Sequence, residues 1–343
     1  MDWKDKVVLV TGGTGSFGKK FVEILLSRHA PRKVIVYSRD ELKQAEMQND
    51  PKYGDADTTR FFLGDVRDKE RLARAFDGVD VVVHAAALKQ VPAAEYNPFE
   101  VIKTNVLGAQ NIIECAIDKG VRKVLALSTD KAANPINLYG ASKLCSDKLF
   151  VAGNAYVGKR LTRFSVVRYG NVVGSRGSVV PLFLSKRKEG VLPITDERMT
   201  RFWIPLSQGV EFVMDCIGNM QGGEIFIPKI PSMKMVDLAR AIAPDCRLET
   251  IGIRPGEKLH EVMVTEDDAR NTVEYSDRYI IMPLFDWSSA GQWLVNGSRC
   301  PDGFRYGSDT NDRWLSKEEL MRMVAKLDLP EAREYAKEKG ISV

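Results

Sequence analysis

The sequence contains few of the residues that build metal centres and disulfide frameworks. It has three histidines and five cysteines among 343 residues. The cysteines are odd in number and widely spaced, with no Cys-x-x-Cys pair, which indicates reduced thiols and a cytoplasmic protein. His260 and Glu261 lack the second histidine of a His-Glu-x-x-His zinc motif. We therefore expect no catalytic metal.

Long apolar segments and a strong net charge are also missing. No apolar segment approaches the roughly 18 residues of a membrane span, and the chain enters its first predicted strand directly after Met1–Asp5. A net charge of +4 is too small to indicate nucleic-acid binding. We therefore expect neither a membrane nor a nucleic-acid partner. The length suits a nucleotide-binding half joined to a smaller substrate half.

A glycine-rich turn follows the first predicted strand. The apolar segment Lys6–Thr11 leads into a Gly-x-x-Gly-x-x-Gly pattern, and a helix is predicted to begin near Ser16. Glycines allow close backbone approach, and the free amides of a helix N-terminus bind pyrophosphate. An ordinary turn is the alternative, but the position after a strand favours a dinucleotide site. The residues assigned to the cofactor here are Gly12, Thr14, Gly15, Ser16, Phe17 and Gly18.

The tip of the second predicted strand bears on the choice between NAD and NADP. An acidic residue at this position binds the ribose hydroxyls of NAD, whereas arginine accommodates the 2′-phosphate of NADP. The strand Lys33–Asp40 ends in Ser38, Arg39 and Asp40, with Lys43 close behind. We predict NADP, with a solvated charged loop as the alternative. Later strand ends add Asp65, Val66, Ala85 and Ala86 to the cofactor site.

The segment Ser128–Lys143 carries two sets of reactive groups. Tyr139 and Lys143 have the Tyr-x-x-x-Lys spacing of a hydride-transferring dehydrogenase, with Ser128 placed to complete the triad. Asp130 and Lys131 add an acid and a base that simple hydride transfer does not require. An exposed charged pair is the alternative for these two, but their position at the mouth of the cofactor site favours catalysis.

These motifs resemble those of a known enzyme family. With Gly64-Asp-Val-Arg-Asp68 and Arg254-Pro-Gly-Glu-Lys-Leu-His-Glu261, they resemble the extended short-chain dehydrogenase/reductase family, and within it the inverting UDP-N-acetylglucosamine 4,6-dehydratases. The resemblance extends to about residue 265. It implies an α/β fold: a doubly wound Rossmann-type parallel sheet of seven strands with a smaller α/β C-terminal substrate lobe.

The resemblance also implies how the chain divides between the two halves. Residues 1–170 are expected to form the NADP-binding domain, to which a segment at about 204–222 returns. Residues 171–203 and 224–343 are expected to form the nucleotide-sugar lobe. Substrate-binding residues carried over from the family are Lys89, which also lies at the nicotinamide end, Thr129, Asn171, Val179, Thr195, Met199, Arg254 and Glu257. A surface ion pair is the alternative for Arg254 and Glu257.

The mechanism implied is oxidation, elimination of water and reduction. Tyr139, supported by Lys143, Ser128 and Thr129, is expected to deprotonate the hydroxyl at carbon 4 of the sugar. Neutral Lys131 is expected to take the proton of carbon 5, and protonated Asp130 to donate to the leaving hydroxyl of carbon 6. A UDP-sugar 4-epimerase, a retaining dehydratase and a silent NADP-binding regulator remain as alternatives. The family further implies a homo-oligomer, pseudaminic acid as the pathway product and a downstream aminotransferase as pathway neighbour.

Overall fold

The computed structural model describes residues 1–54, 57–175, 177–284 and 292–341. Its strands are β1 (Val7–Thr11), β2 (Lys33–Ser38), β3 (Thr59–Leu63), β4 (Val81–His84), β5 (Lys123–Thr129), β6 (Arg163–Tyr169), β7 (Asn171–Val172), β8 (Val191–Ile194), β9 (Thr200–Ile204), β10 (Ile225–Pro228), β11 (Ser232–Lys234), β12 (Arg247–Thr250), β13 (Val262–Val264), β14 (Thr272–Glu274), β15 (Arg278–Ile281), β16 (Ser298–Arg299) and β17 (Tyr306–Gly307).

Helices connect and cover these strands. They are α1 (Ser16–Arg28), α2 (Glu41–Gln48), α3 (Lys69–Ala75), α4 (Val91–Tyr96), α5 (Pro98–Val101), α6 (Gly108–Lys119), α7 (Leu138–Gly153), α8 (Val179–Lys186), α9 (Leu206–Asn219), α10 (Met235–Ile242), α11 (Glu266–Ala269), α12 (Trp293–Asn296), α13 (Lys317–Ala325) and α14 (Pro330–Glu338). A π-helical segment, Ile102–Leu107, precedes α6. In the described ranges, no helix has the length and apolar character needed to cross a membrane.

One large sheet organises the molecule. Seven parallel strands run in the order β3-β2-β1-β4-β5-β6-β10, and β15, β14 and β16 extend the sheet in antiparallel pairing. Strands β1, β2, β4 and β6 are almost entirely buried because helices cover both faces, as in other parallel sheets. The predicted fold class is confirmed. The order reverses between β1 and β4, which is where ligands bind in doubly wound sheets.

The smaller lobe has its own apolar core. It contains the three-stranded sheet β11-β9-β7 and the pair β12-β8, packed against α8, α10, α13 and α14. Trp203, Leu238 and Tyr335 are completely buried in this core. The lobe therefore folds around a hydrophobic centre distinct from that of the large sheet.

The division of the chain differs from the expected one after residue 224. Strand β10 pairs with β6, and β14 to β16 extend the same sheet, so these segments belong to the large sheet and not to the small lobe. Phe226 and Ile280, for example, are fully buried in the core of the large sheet. The reason is that β6 would otherwise expose its outer edge, and pairing with β10 satisfies its backbone groups.

Candidate active site

The glycine turn is packed against the strand on the other side of the switch point. Gly12 has a φ of +64°, and a Cβ atom there would lie 2.9 Å from the backbone of Ala86. Gly18, in the first turn of α1, would place a Cβ 2.5 Å from the backbone of Gly13. The turn, Ala85 and Ala86 therefore form a cradle that side chains would fill. Such a cradle fits a dinucleotide pyrophosphate.

The remaining residues of the turn have different surroundings. The Thr14 hydroxyl is hydrogen-bonded to Ser38 at 2.8 Å, which ties the turn to the end of β2. Gly15 caps α1 and Ser16 begins it. The Phe17 ring stacks on Phe21 at 5.9 Å and packs against the core, so only its backbone faces the cradle.

The charged residues at the end of β2 make different contacts. The Asp40 carboxylate accepts from the Lys43 backbone N–H at 3.0 Å and caps α2, and the Lys43 ammonium also contacts it. The Arg39 side chain is about half exposed, 3.5 Å from Asp65. Burial alone would raise the pKa of Asp65, but hydrogen bonds from Arg67 and the charge of Arg39 outweigh it and lower the pKa. Arg39 therefore keeps about half of its side chain exposed while it lies beside Asp65.

The turn after β5 brings the acid and the base next to Tyr139. The Thr129 hydroxyl caps the short 3-10 turn Asp130–Ala132 and donates to Asp130 at 3.0 Å. Burial raises the pKa of Tyr139 to about 12, while the charge of Lys131 and a hydrogen bond with Thr129 act in the opposite direction. Lys143 lies one turn further along α7 and is buried, which lowers its pKa.

Lys131 lies between two buried carboxyl groups. Its Nζ is 3.0 Å from Asp130 and 3.1 Å from Glu261. Burial lowers the pKa of Lys131, but the two carboxylates outweigh that effect and raise it well above its usual range. This direction favours the ammonium form of Lys131 in the resting arrangement, whereas the neutral amine expected from the sequence is the form that elimination needs. The pKa of Asp130 is raised, mainly by burial, so Asp130 accepts a proton more readily than an exposed carboxyl group does.

Ser128 has a different partner from Thr129. Its hydroxyl donates to Asp147 at 2.8 Å, and Asp147 also accepts from Arg168 at 3.3 Å, all three being buried. Asp147 lies about two turns beyond Tyr139 on α7, so both hydroxyls reach the same helix. The structure pairs Thr129 with Asp130 and Tyr139, and Ser128 with Asp147.

This arrangement separates the effects of two substitutions. We expect Thr129→Val to lower kcat by about 100-fold, because it removes a hydroxyl beside the reacting groups. Ser128→Ala is expected instead to lower the free energy of unfolding by about 1–3 kcal/mol, since it deprives buried Asp147 of a donor. Steady-state kinetics and urea unfolding of both variants measure the two effects. A larger kcat loss in Ser128→Ala than in Thr129→Val would contradict the assignment.

The predicted substrate residues are spread over both lobes. Asn171 begins β7, Val179 begins α8 and Thr195 follows β8, and all three are partly buried. Lys89 is exposed after β4, where Asn105 holds the adjacent Leu88 through two 2.9 Å hydrogen bonds.

Two of these residues differ in their surroundings. Met199 is only 1% exposed and belongs to the small-lobe core, so its side chain supports the site from behind. Arg254 is exposed, and within the described ranges the ion-pair partner of Glu257 is Arg201, at 3.4 Å, and not Arg254. The loop Arg254–Glu261 also reaches the catalytic turn, because Lys258 donates to the Ala133 carbonyl at 2.8 Å.

In the part of the chain that the structure describes, no group of three or more potential ligands could hold a metal ion.

Comparison with known proteins places the chain in a family. Residues 8–283 match the family described as "Polysaccharide biosynthesis protein". The chain belongs to this family. A protein of Campylobacter jejuni serotype O:2 named "UDP-N-acetylglucosamine 4,6-dehydratase (inverting)" is 55% identical over 93% of this chain and 97% of its own length. The resemblance predicted from the motifs is confirmed.

Two further members of this wider group differ in activity. A protein of Rickettsia conorii named "UDP-glucose 4-epimerase" is 39% identical, over 94% of this chain and 96% of its own. The crystal structure of DesIV, a dTDP-glucose 4,6-dehydratase from Streptomyces venezuelae with NAD and TYD bound, superposes with a TM-score of 0.66 and 26% identity. It covers 74% of this chain and 86% of DesIV. Similarity alone therefore does not distinguish an epimerase from a dehydratase.

Two residues of the site were missed by sequence reasoning. Glu261 entered only as the end of a matching segment and of an incomplete zinc motif, with no role of its own, and Arg201 was not considered singly. Arg201 is 4% exposed and binds Glu257 and the carbonyls of Thr200, Lys258 and Leu259. The segment Arg254–Glu261 contains several charged residues directly before an apolar strand, and this pattern could have indicated that the segment belongs to the site.

Proposed function

We propose that the protein removes water from UDP-N-acetylglucosamine at carbons 4 and 6 and inverts carbon 5. The product would be UDP-2-acetamido-2,6-dideoxy-β-L-arabino-hex-4-ulose. The observation that carries the proposal is the pair of buried Asp130 and partly exposed Lys131, 3.0 Å apart and adjacent to Tyr139. An epimerase needs Tyr139 and Lys143 but has no step that uses a second acid and base.

The residues divide the reaction between them. Tyr139 accepts the proton of the carbon 4 hydroxyl, and the resulting ketone acidifies carbon 5. Bound NADP supplies the hydride acceptor at carbon 4 and the donor at carbon 6. Lys131 takes the carbon 5 proton, the electrons of that bond form the double bond to carbon 6, and Asp130 protonates the departing hydroxyl as water. A proton from water then adds to carbon 5 from the opposite face and gives the L configuration, and Tyr139 returns its proton to water.

The Lys131–Asp130 contact supports this division. Elimination requires a neutral amine and a protonated carboxyl group, and transfer of one proton across the 3.0 Å contact produces both. The transfer leaves the net charge of the buried cluster unchanged, so it avoids the cost of burying an extra charge. Elimination then returns Lys131 to an ammonium and Asp130 to a carboxylate. The observed ion pair is thus the state from which the cycle starts and to which it returns.

One mixture tests the proposal against its alternatives. The protein is incubated with NADP and UDP-N-acetylglucosamine, and the nucleotide sugars are separated and weighed by mass spectrometry. We expect loss of one water. A product of unchanged mass but altered mobility would indicate a 4-epimerase, and unchanged substrate would indicate a regulator that only binds the cofactor.

For the cofactor we propose NADP in preference to NAD. The half-exposed guanidinium of Arg39 is available to a 2′-phosphate, whereas Asp40 is engaged as the cap of α2. We expect Arg39→Asp to weaken NADP binding roughly 10- to 100-fold, because an anion would repel the phosphate. Titrations of both proteins with NADP and with NAD measure this change. Equal losses for the two cofactors would show that Arg39 has a structural role instead.

We further propose a homo-oligomer and a place early in the synthesis of a pseudaminic acid-type sugar. Tyr96, Phe99 and Leu107 are exposed apolar residues on neighbouring helical segments, and Tyr96 is 88% exposed. Burying them against a second copy would remove an apolar surface from water. The 4-keto product carries a carbonyl that an aminotransferase would consume next.

A further inference from the structure

Glu261 is a buried carboxylate whose backbone is fixed. It is 1% exposed and directly precedes β13. Its N–H donates to the Ser308 hydroxyl at 2.9 Å, and the Ser308 N–H donates to its carbonyl at 2.8 Å. Because Ser308 is also completely buried, the backbone of Glu261 has little freedom to move. Its side chain is therefore held towards the catalytic turn after β5.

Lys131 is the nearest partner of the Glu261 carboxylate. The distance is 3.1 Å, compared with 3.3 Å to Lys258 and 3.9 Å to Arg201. Lys258 donates to the Ala133 carbonyl, and Arg201 donates mainly to carbonyls and contacts Glu257. The other charged group in the cluster is Asp130, on the far side of Lys131. Glu261 thus contacts two amines, and Lys131 is the nearer of them.

The charge of the Glu261 carboxylate favours the protonated form of Lys131. Burial alone would raise the pKa of Glu261, but Lys131, Arg201 and Lys258 outweigh it and lower the pKa, so the group stays ionised. An ionised carboxylate 3.1 Å away favours the charged form of Lys131. When a neutral Lys131 takes a proton from carbon 5, positive charge develops at that same distance from Glu261. The same carboxylate also stabilises the ammonium of the starting ion pair, so its gain for the rate lies in holding the amine in place.

We propose that Glu261 is a positioning residue for elimination: it holds the Lys131 amine in the place from which Lys131 takes the carbon 5 proton. This inference rests on the proposed dehydratase function. A residue just before β13 thus takes part in the chemistry of the turn that follows β5. Glu261 acts through Lys131 and needs no contact with the sugar.

The first test uses the protein without substrate. In Glu261→Gln the ammonium of Lys131 loses its nearest ionised partner outside its own turn, so the neutral fraction rises. We expect faster acetylation of Lys131 by acetic anhydride at mildly alkaline pH, roughly tenfold for each unit by which its pKa falls. Mass spectrometry of the Lys131 peptide measures the rate, with exposed Lys234 as the internal reference. Glu334→Gln, which removes one partner of the 2.8 Å ion pair with Lys188, is the matched control and should leave Lys131 unchanged.

The second test follows the reaction. We expect Glu261→Gln to slow water release by about 100-fold, the lower end of what a general base contributes. The oxidation at carbon 4 precedes the step that Glu261 assists, so the reduced cofactor should accumulate during turnover and be visible by its near-ultraviolet absorbance. The acid limb of the pH profile for water release should move to lower pH, because the charge of Glu261 raises the pKa of Asp130, and its loss leaves Asp130 ionised, ready to accept the Lys131 proton, at lower pH. Glu261→Asp, which keeps the charge at shorter reach, should restore part of the rate.

The outcomes separate this inference from the proposed function. Both faster acetylation and slower water release are required, and a wild-type value for either in Glu261→Gln overturns the inference. Loss of folding or of NADP binding in both Glu261→Gln and Glu261→Asp would also overturn it, because Glu261 would then be structural. A wild-type protein that releases no water from UDP-N-acetylglucosamine would instead end the proposed function, and this role of Glu261 with it.

Discussion

Replacing Lys131 with alanine is expected to reduce water release by roughly 100- to 10,000-fold, the contribution of a general base. NADP binding should persist, since Lys131 lies beyond the glycine turn that forms the cofactor cradle. The variant should lose about 1–3 kcal/mol of unfolding free energy, because Lys131 is partly exposed but separates two buried carboxyl groups. Product formation, NADP titration and urea unfolding measure the three quantities.

Two controls and one label complete this experiment. Lys131→Gln keeps a hydrogen-bond donor without a base and should be as inactive as the alanine variant, whereas exposed Lys188→Ala should be fully active.

Wild-type product made in deuterated water should carry deuterium at carbon 5, and the hydrogen originally at carbon 4 should be found at carbon 6. Nuclear magnetic resonance would read label and ring configuration together. A D-configured product would exclude inversion, and a Lys131→Ala enzyme of normal rate would exclude Lys131 as the base.

Gly140→Ala is expected to abolish most activity although glycine has no reactive group. A Cβ atom at Gly140 would lie 2.2 Å from the carbonyl oxygen of Lys131. Helix α7 and the catalytic turn would have to separate, which moves Tyr139 away from Asp130 and Lys131. Overpacking of this kind costs about 1–3 kcal/mol, and a displacement of about 1 Å between reacting groups costs roughly 100-fold in rate.

A second glycine on a helix provides the matched control. A Cβ at Gly209, in α9, would make an ordinary 3.7 Å contact with Ile204. Gly209→Ala should therefore keep wild-type activity and gain up to about 1 kcal/mol of unfolding free energy. Thermal or urea unfolding and kcat of both variants give the comparison. Wild-type kcat in Gly140→Ala would show that the spacing of α7 and the turn is not critical.

Local patterns were sufficient to predict the parts of the site that are close in sequence. The helix predicted near Ser16 begins there, and α7 carries Tyr139 and Lys143 on successive turns as their spacing required. These features depend on apolar runs and on residues within two turns of each other, which a sequence displays directly. The seven parallel strands were instead implied by the resemblance to the family, and the sheet confirms their number.

Features that depend on distant contacts could not be predicted in this way. Glu261 meets Lys131 only because β13 packs against the catalytic turn, and no spacing in the sequence relates the two. The difference between Ser128 and Thr129 depended on which residues of α7 each one reaches, Asp147 for Ser128 and Tyr139 for Thr129. The short strands β14, β15 and β16 have two to four residues each, too few for a periodicity to reveal their place in the large sheet.

The late arrival of β10 beside β6 has a consequence for synthesis on the ribosome. Strand β6 emerges with the first six strands, but its outer neighbour comes only after β7 to β9 and α9 have been made. During that interval the nascent sheet has an open edge, which can pair with other chains. Defects in β10, such as loss of the buried Phe226 ring, would then appear first as poor yield of intact protein, with the catalytic groups unaltered in the molecules that do mature.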